Sequence, residues 1–460
     1  MKTIKADLIL KGGTLVHSDR MYAADLVVQD GQIAAVTDGI LPDAENVLDV
    51  TGRYILPGII DSHVHLRYPG NPDRETFATG TRAAAAGGVT TILEHPISEP
   101  AVSTVEILRR REEMCSPQAH VDYGFFGAAG EDNLEDIGPM AQEGVVAFKT
   151  FLHEAPPGRE DEFAGLTATT DGGLHEVMCQ IAKTGKLHVI HAEANSFVQH
   201  NIDRLRKQGR NDIFAHLDSR PVLAELISCA KSMEMARDAE AKMAVAHISG
   251  GTVAEFLAAH RDEGYDILVE TCPHYLFLTR DDVGELGPFA KINPGIRCSA
   301  EQQKLWEQLR AGVIDFIGSD HGPFLYEEKE TGWDDIFDAP AGAVGLETLV
   351  PLFLDAVNGD KLSLPDVARL MSENTARHFG LWPKKGSLSV GADADFTVVD
   401  LERKQVVNRD EMYTKASDCA LLYDGWELQG AVEATIVRGN VVMQDGEICG
   451  EEGYGELIKS

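Results

Sequence analysis

His63 and His65, separated by one residue, are the first residues of this 460-residue chain able to do chemistry together. They follow a short apolar run, 57–61, that reads as a strand. Residues i and i+2 of a strand project to the same face, so both imidazoles can reach one ion. With 16 histidines in 460 residues, chance alone supplies about half such a pair, so the pair carries little weight by itself. The later apolar runs add to it. His191 lies in the run 187–193, His247 in 242–249, and Asp320 ends 314–320 with His321 directly after it. Taken singly, each histidine reads as a hydrogen-bonded core residue. Together, four imidazoles and a carboxylate at strand ends form a ring of ligand types suited to zinc or a similar divalent ion. Lys149 sits between apolar neighbours, Ala147-Phe148 and Thr150-Phe151. Burying it charged is costly, and burial lowers a lysine's pKa, leaving a neutral nucleophilic amine. The alternative is an ordinary ion pair with one of the many acidic residues.

The elements that must position these groups alternate. Apolar runs occur at 57–61, 89–94, 120–129, 145–152, 187–193, 242–249, 266–272 and 314–320. Amphipathic segments such as 76–87, 222–241 and 300–312 lie between them. Continuous apolar strands alternating with helices predict a parallel sheet covered by helices. Eight such units over ~320 residues predict an α/β fold, a (β/α)8 barrel with active-site residues at the C-terminal ends of its strands. An open doubly wound sheet would want a glycine-rich turn after its first strand; Asp61-Ser62-His63-Val64-His65 stands there instead. Both ends of the chain differ from this middle. They read as short strands with tight turns, and Gln29-Asp30-Gly31 is echoed by Gln444-Asp445-Gly446. The expected organisation is a discontinuous β-sandwich domain, 1–56 plus 381–460, around a catalytic barrel, 57–380.

Composition narrows the partners. Lys and Arg number 41 against 74 Asp and Glu, a net charge of −33, which repels phosphate backbones and anionic lipid heads. The expectation is no nucleic acid and no membrane partner. Seven cysteines without a CxxC pair suggest free thiols in a reducing compartment. The N-terminal stretch MKTIKADLILKGGTLV has no apolar core of a signal peptide, and no apolar run nears the ~18 residues of a membrane span. A cytoplasmic protein is expected.

Several motifs jointly resemble the cyclic amidohydrolases: hydantoinases, dihydropyrimidinases, allantoinases and dihydroorotases. They are PGIIDSHVH (57–65), FKTF (148–151), HAE (191–193), HIS (247–249), ETCPHYL (270–276), KINP (291–294) and GSDH (318–321). The resemblance spans essentially the whole chain. It implies two divalent metal ions, zinc by precedent, bridged by a carboxylated Lys149 and a hydroxide. It places His63, His65 and Asp320 around one ion and His191 and His247 on the other. It makes Asp320 the catalytic proton shuttle in opening the ring of a small cyclic amide. The segments TTILEHPI (90–97), LWEQL (305–309) and EKETGW (328–333) resemble L-hydantoinase-like enzymes, so a 5-substituted hydantoin opened to an N-carbamoyl amino acid is the expected reaction. Allantoin is the alternative, then dihydroorotate. HLRYPG (65–70) is similar to the dihydroorotase loop whose arginine holds a carboxylate, but Ile97 stands where that family places an asparagine. Arg67 is either a bidentate contact to an anionic or polar ring substituent, a plain surface residue, or an ion-pair partner of Glu75 or Asp73. Asn293 lies where the family reads the ring through its main chain. Glu154 replaces the oxyanion tyrosine of the dihydropyrimidinase pattern. Phe151, Leu152 and 153–165 are expected to shape the substituent pocket. The resemblance also implies a homo-oligomer, tetramer or dimer.

Overall fold

The computed structural model describes residues 5–261 and 263–460; the first four residues of the stretch read for a leader, and of the N-terminal β-segment, lie outside it. The middle of the chain forms parallel ladders. Ile59–Val64, Val89–Glu94 and Asp122–Phe125 make a three-stranded sheet. Gly127–Ala128, Phe148–Phe151, His188–His191, Met243–Val245, Ile267–Thr271 and Phe316–Ile317 follow in a six-stranded one. Each strand pairs with its successor in the chain. Only Phe126 separates the two sheets: its N–H donates to Glu94 O and that of Gly127 to Ala147 O, both at 2.9 Å. At the far edge, Val64 bridges His321 in parallel sense, and His65 N donates to His321 O at 2.7 Å.

Helices interleave as the periodicity predicts. The expected segments 76–87, 222–241 and 300–312 are Phe77–Ala86, Val222–Asp238 and Ser299–Arg310. The first is alanine-rich, and Thr76 caps it by accepting from Thr79 N, with the Thr79 side chain reaching back. Every residue of Ile59–Val64, Val89–Glu94 and Phe148–Phe151 is buried. These strands have no solvent face, so their sequences show no regular polar–apolar alternation, and even their polar residues, such as Asp61, Ser62, Thr91 and Lys149, are buried. Among the described residues, no helix is long and apolar enough to cross a membrane.

Both ends of the chain meet in one seven-stranded sheet. Phe396–Val406 pairs antiparallel with Tyr54–Pro57 on one side and Glu427–Val437 on the other. A four-stranded sheet holds Ala6–Lys11, Asp25–Gln29, Gln32–Thr37 and Ala44–Asp49. Leu8, Leu26 and Val28 of that sheet pack with Ile55, Phe396 and Ile436 of the larger one. The two predicted turns are two-residue hairpin loops. Asp30 and Gly31 have φ of 51° and 74°, Asp445 and Gly446 52° and 88°, as turns matched to the strand twist require.

Lys385 fastens this terminal sheet to the parallel one. Its ammonium contacts Asp122 of the strand Asp122–Phe125 at 2.5 Å, Asp395 at 2.7 Å and Asp393 at 3.0 Å, and all four side chains are buried. The three carboxylates resemble a cation site, but the lysine fills it. Burial alone would lower the Lys385 pKa; Asp395 and Asp393 overcome that and raise it. Lys385→Met should leave buried carboxylates uncompensated and cost ~3–5 kcal/mol, read as a lowered urea midpoint with activity retained in the surviving folded fraction.

Candidate active site

His63 and His65 stand at the end of Ile59–Val64, as the alternation predicts. His63 Nδ1 lies 2.8 Å from Glu270 Oε2, and its Nε2 3.3 Å from Asp320 Oδ1. His65 Nε2 lies 3.4 Å from the same oxygen. Asp320 comes from the far end of the parallel series, past Phe316–Ile317. The close approach of that segment depends on Gly318, where a Cβ would sit 2.5 Å from His63 Cβ and 2.8 Å from Glu270 Oε1. Across the pocket, His191 Nδ1 is 3.0 Å from His247 Nε2, and His191 Nε2 is 2.9 Å from Glu193 Oε2. Lys149 projects from Phe148–Phe151, completely buried, with its Nζ 5.1 Å from the Phe151 ring centre. No hydrogen-bond partner reaches that Nζ among the described residues.

These groups share one electrostatic character. Burial pushes the His63, His65, His191 and His247 pKa values down, so the imidazoles are neutral and carry lone pairs. Burial likewise pushes the Lys149 amine down and the Asp320 and Glu270 carboxyls up. The carboxylates behind the histidines settle which nitrogen faces inward. A hydrogen given by His63 Nδ1 to Glu270 leaves the Nε2 lone pair free, and one given by His191 Nε2 to Glu193 frees Nδ1. Partnerless buried nitrogens at His63 Nε2 and Lys149 Nζ, with His191 Nδ1 and His247 Nε2 facing each other, fit a site built to bind cations. The donor set of imidazoles and a carboxylate matches zinc-like ions.

Glu270 holds the construction together. Besides His63, it accepts from Ser62 Oγ at 2.7 Å and from His247 N at 3.1 Å, so one buried carboxylate ties two histidine-bearing segments. Asp61 does similar work, accepting from His63 N at 3.1 Å and Ser319 N at 2.9 Å; burial raises its pKa to about 6. Three pocket residues, Arg67, His247 and Asp320, have left-handed backbones with φ of 61°, 40° and 50°. Such conformations cost energy in non-glycine residues and persist where surroundings fix them.

Arg67 is not a surface residue. It is 3% exposed and lines the pocket. Its nearest carboxylate is Glu162, with Nη1 at 3.7 Å, rather than Glu75 or Asp73. Glu75 is instead engaged with Thr79, Thr414 and the Lys415 N–H. Arg67 Nε and Nη1 have no hydrogen-bond acceptor among the described residues, and the guanidinium rests 5.1 Å from the Phe324 ring centre. Asn293 lines the same cavity with its Oδ1 buried and unpartnered. Phe151 and much of 153–163 form another wall, and Glu154 stands exposed at the rim. The cavity is about 870 Å³.

Reasoning from sequence did not single out His95 or assign a role to Glu270, though both fall inside quoted motifs. The His95 ring stacks on that of His63, 3.7 Å between centres and 5° from parallel. Donor atoms of His63, His65 and His95 lie within 4.8 Å of one another. Parallel rings point their in-plane lone pairs along separate planes, so the stack supports His63 rather than sharing its ion. The placement of His95 next to strand residue Glu94 was the available signal.

Comparison with known proteins agrees with this geometry. The profile of the amidohydrolase family matches residues 54–442. The chain is 34% identical over 455 residues to an L-hydantoinase of Paenarthrobacter aurescens, covering 98% of each chain. It is 36% identical over 455 residues to an allantoinase of Deinococcus radiodurans, again covering 98% of each. The solved structure of L-hydantoinase (dihydropyrimidinase) from Arthrobacter aurescens superposes with a TM-score of 0.95 at 34% identity, covering 99% of this chain and 100% of that one. By the family match and the full-length similarity to these relatives, the chain belongs to the amidohydrolase family.

Proposed function

We propose that this protein hydrolyses the ring amide of a cyclic ureide, with a 5-substituted hydantoin opened to an N-carbamoyl amino acid as its reaction. The convergence of His63, His65, His191, His247 and Asp320 on one cavity, with Lys149 buried and partnerless in their electrostatic neighbourhood, carries the reading. The parallel strands form a closed (β/α)8 barrel over 57–380, which the Val64–His321 bridge supports. The terminal strands form a β-sandwich domain, 1–56 with 381–460, supported by their joint apolar core. Seven free thiols support the expected cytoplasmic setting. Exposed Leu223 and Ile227, four residues apart on one helix face, support a dimer or tetramer.

His63, His65 and Asp320, together with His191, His247 and a carboxylated Lys149, would hold two divalent ions, zinc in this reading, which would supply Lewis acidity toward water and the ring carbonyl. Asp320 faces both histidines of the first pair and takes the proton of the attacking water. It returns that proton to the ring nitrogen as the C–N bond breaks, so water is added across the amide with no other co-reactant. Asn293 and its neighbours hold the ring through the main chain. Arg67 offers two nitrogens without a hydrogen-bond acceptor, Nε and Nη1, to a polar substituent on the ring. These same N–H groups favour allantoin, whose ureido group is polar, as the second reading. Dihydroorotate ranks third, because Ile97 is apolar where a second carboxylate contact is expected.

Parallel assays of hydantoin, 5-substituted hydantoins, allantoin, dihydrouracil and dihydroorotate test the assignment. Fastest opening of 5-substituted hydantoins is expected; a clear preference for allantoin selects the second reading. Asp320→Asn should lower kcat by ~10²–10⁴ with zinc content retained, and appreciable turnover in the zinc-loaded variant would make Asp320 a ligand only. Chelation should abolish activity, and zinc with bicarbonate should restore it. Lys149→Met should stay inactive under the same reconstitution, as assayed by ring opening and zinc analysis.

A further inference from the structure

Two lysines at the pocket wall lack any role in the chemistry above. Lys291 and Lys329 are 6% and 1% exposed. No carboxylate lies within ion-pair distance of either among the described residues; backbone carbonyls surround both ammonium groups instead. Lys291 Nζ donates to Ile336 O at 2.7 Å, Phe337 O at 3.2 Å and Ala339 O. Lys329 Nζ donates to Gly342 O at 2.9 Å, Pro340 O at 3.2 Å and Lys291 O at 3.2 Å. The two lysines therefore interlock: one ammonium binds the backbone of the other residue, and together they engage five carbonyls of 336–342. That segment is irregular, and its carbonyls lack ladder partners. Ammonium groups, each with three donors, satisfy several at once.

The segment so fastened is part of the active cavity. Phe337 through Gly342 line it. At its C-terminal end, Gly342 N donates to Lys291 O at 3.0 Å, two residues from Asn293. The next residue, Ala343, bridges His321, and its carbonyl accepts from Gly322 N at 2.8 Å, next to Asp320. This end of the wall thus joins the ring-reading segment to the segment bearing the proton shuttle, while Ile336 N at the other end donates to Asn211 O at 2.8 Å. We propose that Lys291 and Lys329 are positioning residues whose interlocked carbonyl contacts hold 336–342 across the pocket, fixing the spacing between Asn293 and Asp320 and so the affinity for the ring. The inference rests on the cyclic-amide reading of the site.

Hydrogen exchange followed by mass spectrometry, with kinetics on zinc-loaded enzyme, tests it. In the wild type, amides of 336–342 should exchange more slowly than those of the exposed stretch 154–160. Equal rates overturn the clamp without any variant. Lys329→Met should speed exchange in 336–342 while zinc content holds. It should raise KM about tenfold for both hydantoin and 5-benzylhydantoin with kcat within about threefold. Lys329→Arg, which keeps the charge and donors, should bring KM back toward the wild-type value. Faster exchange with unchanged KM, or a fall in kcat at unchanged KM, contradicts the positioning role. Inactivity of the wild type on every ring would sink the cyclic-amide reading alone, since the exchange comparison still decides whether the clamp exists.

Discussion

Burial of the Lys149 amine without a hydrogen-bond partner imposes a cost that its surroundings must offset. An ammonium in that place would need acceptors; Glu270 and Asp320 act on it electrostatically but do not hydrogen-bond to it. In the proposed reading, carboxylation by CO2 would turn the amine into an anionic carbamate, which the neutral imidazoles around it would complement by holding cations. Inward lone pairs would be available for them, because Glu270 and Glu193 can take the outward hydrogens of His63 and His191.

The scaffold exists to hold that arrangement against its own strain. Arg67, His247 and Asp320 adopt left-handed backbones; Glu270 restrains that of His247, and contacts of Asp61 and Ser319 restrain the residues flanking Asp320. Fastenings farther out use the same device with the signs exchanged. Lys385 gathers three carboxylates between the sheets, while Lys291 and Lys329 gather carbonyls at the pocket wall. In each case, a buried charge is tolerated because several opposing dipoles or charges converge on it, and its removal would strand all of them at once.

Much of this was legible in the chain. Strands buried on both faces leave continuous apolar runs, and all eight predicted runs contain parallel strands of the structure. The i, i+2 spacing of His63 and His65 survives folding because a strand preserves it. The Asp-Gly turns announced their hairpins through residues that accept positive φ. Other features could not be read in this way. Glu270 meets His63 across 207 positions, and Glu162 meets Arg67 across a loop that has no periodicity. The local alternatives for Arg67, Glu75 and Asp73, give way to Glu162, which nothing in the local sequence indicates. His95 gains its role only by stacking on a residue of the neighbouring strand. Local pattern specifies which residues face inward; it says nothing of which distant inward residues meet.

The most direct test of the account is the chemical state of Lys149. Zinc-loaded enzyme prepared with carbon-labelled bicarbonate should show a carbamate carbonyl resonance, and a lysine carrying the added mass at position 149 on gentle native analysis. Substitution of Lys149 should abolish the resonance. An unmodified Lys149 in active, zinc-loaded enzyme would contradict the account, since a free buried amine would leave the two halves of the site without the anion that joins them.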